Sequence, residues 1–156
     1  EAMREIGHIC ADLSAPDIEA LTLPDVLRRV AAAHTFRTGT EVALDIADPA
    51  LPAGEAVRIG AHRFVQESLN NAFWHAGGAG QKVACGLDGL DLWIRVSNDP
   101  GSPVRSQDTG SHGLGLPGLR DRIESLGGRF SFARTDDGGA VAEMRVGLEP
   151  SGEGDA

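Results

Sequence analysis

RFVQESLNNAFWHA, residues Arg63 to Ala76, is the stretch on which the fold turns. It closes the longest helical pattern in the chain, residues 54–76, where Val57, Ala61, Phe64, Val65, Leu69, Ala72 and Ala76 recur at three- and four-residue steps. Gly77-Gly78-Ala79-Gly80 stops the pattern sharply. Glu67, Asn71 and His75 are spaced by four and four, so at about 100° per residue they share one narrow stripe beside the apolar face. A stripe at the edge of a core can line a pocket. A carboxylate and a carboxamide oxygen there suit Mg2+ with retained waters. Taken alone, the triplet is read more simply as a solvated flank with i,i+4 contacts.

Working downstream, Lys82–Leu87 and Leu92–Asn98 read as strands, with Asp88-Gly89 as the hairpin turn pair between them. Residues 99–115 are poor in apolar side chains and read as a long loop, of the kind that is usually functional. Gly115–Leu126 returns to helix and ends at Gly127-Gly128. Phe130–Arg134 and Val141–Leu148 form a last hairpin around Asp136-Asp137-Gly138-Gly139. Upstream, Glu41–Ile46 alternates polar and apolar as a half-buried strand does. A helix starts after Thr22, with Thr22 as cap, Pro24 in the first turn, a stripe of Val26, Leu27, Val30 and Ala33, and Gly39 at its end. Residues 1–14 again have helical spacing, with Met3, Ile6, Ile9, Cys10 and Leu13 on one stripe, broken at Pro16. The order predicts an α+β two-layer sandwich: a mixed, largely antiparallel sheet covered on one face by about three helices.

The 156 residues suit one domain, and with 41% hydrophobic and 24% charged residues a core can form. No apolar run approaches the roughly 18 residues of a membrane span, so no membrane insertion is expected. Asp and Glu total 23 against 14 Lys and Arg, a net charge of −9 that repels nucleic-acid backbones, so no nucleic-acid partner is expected. Cys10 and Cys85 lie far apart with no CxxC, which argues against a zinc site or a disulfide and for buried free thiols in a reducing cytoplasm. The first residues fall in mid-helix, so the chain is read as part of something longer. The acidic tail from Pro150 is expected to be disordered.

A second motif is Gly113-Leu114-Gly115-Leu116-Pro117-Gly118-Leu119-Arg120-Asp121-Arg122. Glycines opening a helix leave backbone N–H groups unshielded, and the helix start favours anions such as phosphates. No Gly-Lys-Ser/Thr follows, so this is not a P-loop, and no βαβ unit surrounds it as a dinucleotide fingerprint requires. The glycines by themselves are equally explained as a loop that needs tight turns.

The two segments together say more. RFVQESLNNAFWHA resembles the asparagine box, and HGLGLPGLRDRIESLGG the glycine box, of the histidine kinase, gyrase and heat-shock ATPase superfamily as found in two-component sensor histidine kinases. The resemblance covers residues 1–148. It implies residues 1–20 as the end of a dimerisation helix and its hinge, 21–148 as an ATP-binding catalytic domain, and 149–156 as a tail. It implies ATP and Mg2+ as cofactors. Asn71 matches the asparagine that holds Mg2+, Glu67 the acid that orients or deprotonates the attacking histidine, and His75 the basic position near the phosphates. Gly113, Leu114, Gly115, Leu116 and Gly118 match the glycine box that closes over the triphosphate, and residues 99–115 the mobile lid. The implied partners are the chain's own dimerisation and phosphoacceptor domain and a response regulator. The implied location is the cytoplasm, whether or not the parent is membrane-anchored.

The sequence also departs from the family pattern. Where relatives carry Asp-x-Gly-x-Gly to contact adenine, this chain reads Val96-Ser97-Asn98-Asp99-Pro100-Gly101. By register Asn98 takes the place of the Asp, and Gly101 follows within the same nucleotide-contacting segment. A carboxamide still accepts a hydrogen bond, but without charge. The alternative reading is therefore a degenerate pseudokinase that docks a partner and binds ATP weakly or not at all. Trp74 sits where many relatives have Lys or Arg, and Trp74 and Trp93 read as packing residues. His8, His34, His62 and His112 have no motif support as the phosphoacceptor.

Overall fold

A computed structural model of the chain describes residues 21–47, 51, 53–104 and 115–148. The helical pattern at 1–14, Cys10, His112, Gly113, Leu114 and the acidic tail lie outside the described residues. The elements run α1 (Leu23–Thr38), β1 (Ala43–Ile46), α2 (Glu55–Ala76), β2 (Lys82–Asp88), β3 (Asp91–Asn98), α3 (Gly115–Ser125), β4 (Arg129–Arg134) and β5 (Ala140–Gly147). The sheet has five strands in the order β1-β2-β3-β5-β4. All contacts are antiparallel except β1–β2, which is parallel. This is the expected mixed, largely antiparallel sheet with three helices.

Local chemistry explains the boundaries. The Thr22 hydroxyl accepts from the Asp25 backbone N–H at 3.2 Å, satisfying one orphan donor of α1. The α1 stripe is rotated slightly from the expected one: Ala31 and His34 are buried, and Ala33 is only partly so. The β2–β3 hairpin pairs Asp88 with Asp91, so its central residues are Gly89 and Leu90, one step later than the Asp88-Gly89 pair read from sequence. Gly89 has φ +66, and a positive φ at the first central position is a turn only glycine enters cheaply.

The register explains the core. Each row across β2, β3, β5 and β4 points to one face. Val83, Val96, Ala142 and Phe132 form one row; Cys85, Ile94, Met144 and Phe130 form the next. Leu92 and Val146 continue it. These side chains meet Leu23, Val26, Leu27 and Val30 of α1, Ala61, Phe64, Val65 and Leu69 of α2, and Leu119 and Ile123 of α3. The intervening rows carry Trp93, Arg95, Glu143 and Arg145 on the other face. There the Trp93 ring covers Gly86 and the Arg95 guanidinium lies 4.8 Å from the indole centroid, which makes Trp93 a packing residue. Strand β1 differs from expectation: it is an edge strand, and Ala43, Leu44 and Asp45 are exposed. Alternation alone does not reveal that Leu44 lies open while Val42 and Ile46 pack against the core.

His34 is fully buried and ties α1 to the start of β2. Its Nε2–H donates to Gln81 Oε1 at 2.9 Å, and Gln81 Nε2 donates to Thr40 Oγ1 and the Glu41 carbonyl, each at 3.0 Å. Its Nδ1 is buried with no hydrogen-bond partner among the described residues. Burial lowers the His34 pKa below 6.5, the Gln81 hydrogen bond opposes the shift, and the Arg37 charge adds to it. The unfolded chain therefore takes up this proton before the folded one does. Stability is complete above pH 6.5 and falls below it, by up to about 1.4 kcal/mol per pH unit. Denaturant unfolding at pH 7.5 and 5.5 should show a smaller loss for His34→Gln than for the unaltered chain. Cys85 is a buried free thiol, as read from sequence, and burial pushes its pKa up to about 11.

Candidate functional site

The core rows do not fill the whole interior. Towards the C-terminal end of α2 the facing side chains become small: Ala72 and Ala76 on the helix, Ala140 and Ala142 on β5, and Gly138 before it. They leave a solvent-open cleft between α2 and the sheet. Ser68, Asn71 and His75 line it from α2, Leu116 from α3, Val96 and Asn98 from β3, and Phe132 and Arg134 from β4. Of the residues singled out in the sequence, Asn71, His75, Asn98 and Leu116 thus meet round one cleft. Glu67 lies one turn before Asn71 on α2, half-buried and outside the lining. Gly115 and Gly118 sit in the first turn of α3 beside Leu116.

Asn98 faces the cleft and its neighbour does not. Strand pairing ends at Asn98, and Asp99 N–H donates to the Ala79 carbonyl at 2.9 Å, which turns Asp99 outward. Asn98 Nδ2 donates to the Asp99 carbonyl at 2.8 Å. The amide is thereby oriented with its Oδ1 as the remaining acceptor, so the carboxamide presents the polarity a carboxylate would present, without the charge.

Gly101 lines no part of the cleft. It is a contact position: a Cβ there would stand 2.2 Å from the Ala76 carbonyl oxygen and 3.0 Å from Ala79 Cβ. The chain leaving β3 passes against the end of α2 because this residue has no side chain. Gly101→Ala should force the two backbones apart and cost about 1–3 kcal/mol. A thermal melt measures the cost, and an unchanged melting temperature would contradict the close approach.

Sequence reasoning missed Ser68, Arg134 and the small residues of β5. Ser68 is 5% exposed, and its buried hydroxyl has no hydrogen-bond partner among the described residues. A buried hydroxyl facing a cleft needs a water or a ligand to satisfy it. Only the run of small side chains at Ala140 and Ala142 on an otherwise bulky strand could have signalled a cavity in advance.

The donor set fits a magnesium ion carried by a polyphosphate. Among the described residues no group of three or more His, Cys, Asp or Glu side chains could cage a metal. Asn71 supplies one carboxamide oxygen at the cleft. That suits Mg2+, which keeps several waters and takes few protein ligands when phosphates supply the rest. Among the described residues no helix is long and apolar enough to cross a membrane.

No family model matches the chain. It is 29% identical over 117 residues to the sensor histidine kinase YxjM of Bacillus subtilis (strain 168), a match covering 72% of this chain and 27% of that protein. The chain therefore spans about a quarter of that relative's length. The nucleotide-free catalytic domain of histidine kinase ThkA superposes with a TM-score of 0.63 at 18% identity, over 82% of this chain and 93% of that one. Full-length ShkA in complex with AMPPNP superposes with a TM-score of 0.60 at 18% identity, over 93% of this chain and 37% of that one. The fold is that of histidine-kinase catalytic domains, and the sequence is similar to sensor histidine kinases.

Proposed function

We propose that residues 21–148 are the ATP-binding catalytic domain of a sensor histidine kinase, which presents the γ-phosphoryl of ATP to a histidine on a dimerisation helix. The observation that carries this reading is the cleft in which Asn71, His75, Asn98 and Leu116 converge from separate elements. The similarity to sensor histidine kinases supports it. Catalysis of this kind rests on positioning and charge neutralisation rather than on covalent chemistry by the domain.

In this reading Asn98 Oδ1 accepts from the exocyclic amine of adenine. Exchange of a charged acceptor for a neutral one costs about 1 kcal/mol. Asn71 holds Mg2+, which when bound neutralises charge on the phosphate oxygens. His75 lies near those oxygens, and Glu67, one turn away, orients or deprotonates the attacking histidine. Gly113, Leu114, Gly115, Leu116 and Gly118 close over the triphosphate, with residues 99–115 as the lid and Gly101 fixing its departure from α2. Residues 1–20 are the end of the dimerisation helix. A response regulator receives the phosphoryl group, and the domain works in the cytoplasm.

Calorimetric titration with Mg·ATP tests the reading. Saturable binding is expected, and its absence up to millimolar nucleotide sinks the proposal. A second reading, a pseudokinase that docks a partner, draws on the Asn98-Asp99-Pro100 segment. Under it the unaltered chain binds no nucleotide, and restoring Asp-x-Gly there creates affinity.

A further inference from the structure

The register places Asn98 opposite Ala140, and Ala140 opposite Arg134. The three form one row across β3, β5 and β4. It lies two residues beyond the row of Val96, Ala142 and Phe132, and so on the same face of the sheet. All three line the cleft. The outer two stand two strand spacings apart, roughly 10 Å, with only a methyl group between them. An arginine side chain can reach across much of that gap. The Arg134 guanidinium makes no ion pair or hydrogen bond among the described residues; Arg29, Arg63 and Arg129 share that freedom, but of the four Arg134 alone lines the cleft. The carboxylates of the adjoining turn do not hold it either. Asp137 is engaged by the Thr135 hydroxyl and the Gly139 N–H, and Asp136 and Asp137 line, with Asp99, an adjoining depression that Asn98 also borders. The neighbour across the row, Asn98, is neutral and has turned its amide to leave an acceptor.

We propose that Arg134 is a nucleotide-binding residue of this cleft, a cation left free for the ligand because the polar residue sharing its row is an amide and not a carboxylate. The inference rests on the nucleotide-binding reading above and extends it. A carboxylate at position 98 would hold the arginine by charge across the row. The amide accepts a hydrogen bond and releases the guanidinium. The neutral residue at position 98 and the free arginine thus act as a pair, and the cleft exchanges an acidic floor for a cationic rim. That exchange favours a ligand carrying several negative charges.

The test is a double-mutant cycle read by titration of the chain with Mg·AMPPNP, AMP and adenosine. Arg134→Gln should weaken Mg·AMPPNP binding by roughly ten-fold at low salt, with the melting temperature unchanged, because the side chain is exposed and partnerless. Arg134→Lys should recover part of the loss. Asn98→Asp, which restores a charged acceptor, should help binding less in the unaltered background, where the new carboxylate also holds Arg134, than in the R134Q background. A loss confined to AMPPNP and AMP assigns the contact to phosphate, and an equal loss for adenosine assigns it to the base. Binding by R134Q within about two-fold of the unaltered chain overturns the proposal, as does Asn98→Asp acting alike in both backgrounds. If the unaltered chain binds none of the three ligands, the nucleotide-binding reading itself fails, and this proposal with it.

Discussion

Asn71→Ala is expected to remove Mg·nucleotide binding without removing the fold. The carboxamide is half-buried at the cleft and makes no hydrogen bond among the described residues, so deleting it strands no protein partner. Asn71 also sits mid-way through the last half of a 22-residue helix, where alanine is the better helix former by a few tenths of a kcal/mol. The melting temperature should therefore hold or rise slightly. Affinity for Mg·AMPPNP should fall by at least about 100-fold, or ~2.7 kcal/mol, the scale of a lost metal contact. Phosphotransfer by the domain joined to its dimerisation helix should be abolished. Affinity measured without magnesium should change little if, as proposed, the carboxamide acts through the ion. A variant that unfolds would assign the Glu67–Asn71–His75 stripe to packing. A variant that binds normally would remove Asn71 from the site.

The contrast between that stripe and the rest of the cleft shows what a sequence displays. Asn71 and His75 are four residues apart on one helix, so helical periodicity alone puts them side by side. The same local arithmetic found the Thr22 cap, the stop at Gly77 and the strands that supply the core rows. Arg134 and Asn98 come together by a different route. They are separated by 36 positions and joined only through Ala140, whose pairing with both strands is set when β5 inserts between β3 and β4. No local pattern encodes that insertion. The same holds for β1, whose alternating sequence suited a half-covered strand while its place at the sheet edge left it exposed. Gly101 was legible as part of a nucleotide-contacting segment only by resemblance. The structure gives it a steric duty against the Ala76 carbonyl.

The interior and the cleft share one helix, and this sets the second large effect. Phe64 is fully buried on α2, two turns before Asn71, and its ring meets that of Phe130 edge-on at 6.1 Å and 79°. It sits where α2, α3 and β4 converge, in the core cluster with Leu119, Ile123 and Phe130. Truncation to alanine removes the aromatic pair and leaves a void that three rigid elements cannot close. The expected cost is about 3–5 kcal/mol, which lowers the melting temperature by roughly 10–20 °C for a domain of this size. Against a total stability of about 5–15 kcal/mol, this is a large fraction. Phe64→Leu, which keeps most of the volume, should cost about half as much. The cleft should respond in the opposite way to the Asn71 variant. Phe64→Ala loosens the seat of α2, so nucleotide should stabilise the folded state by linkage and recover part of the lost melting temperature at saturating Mg·AMPPNP. A loss below about 1 kcal/mol would mean that α2 is not seated by this ring, and that the position of Asn71 over the cleft is held from elsewhere.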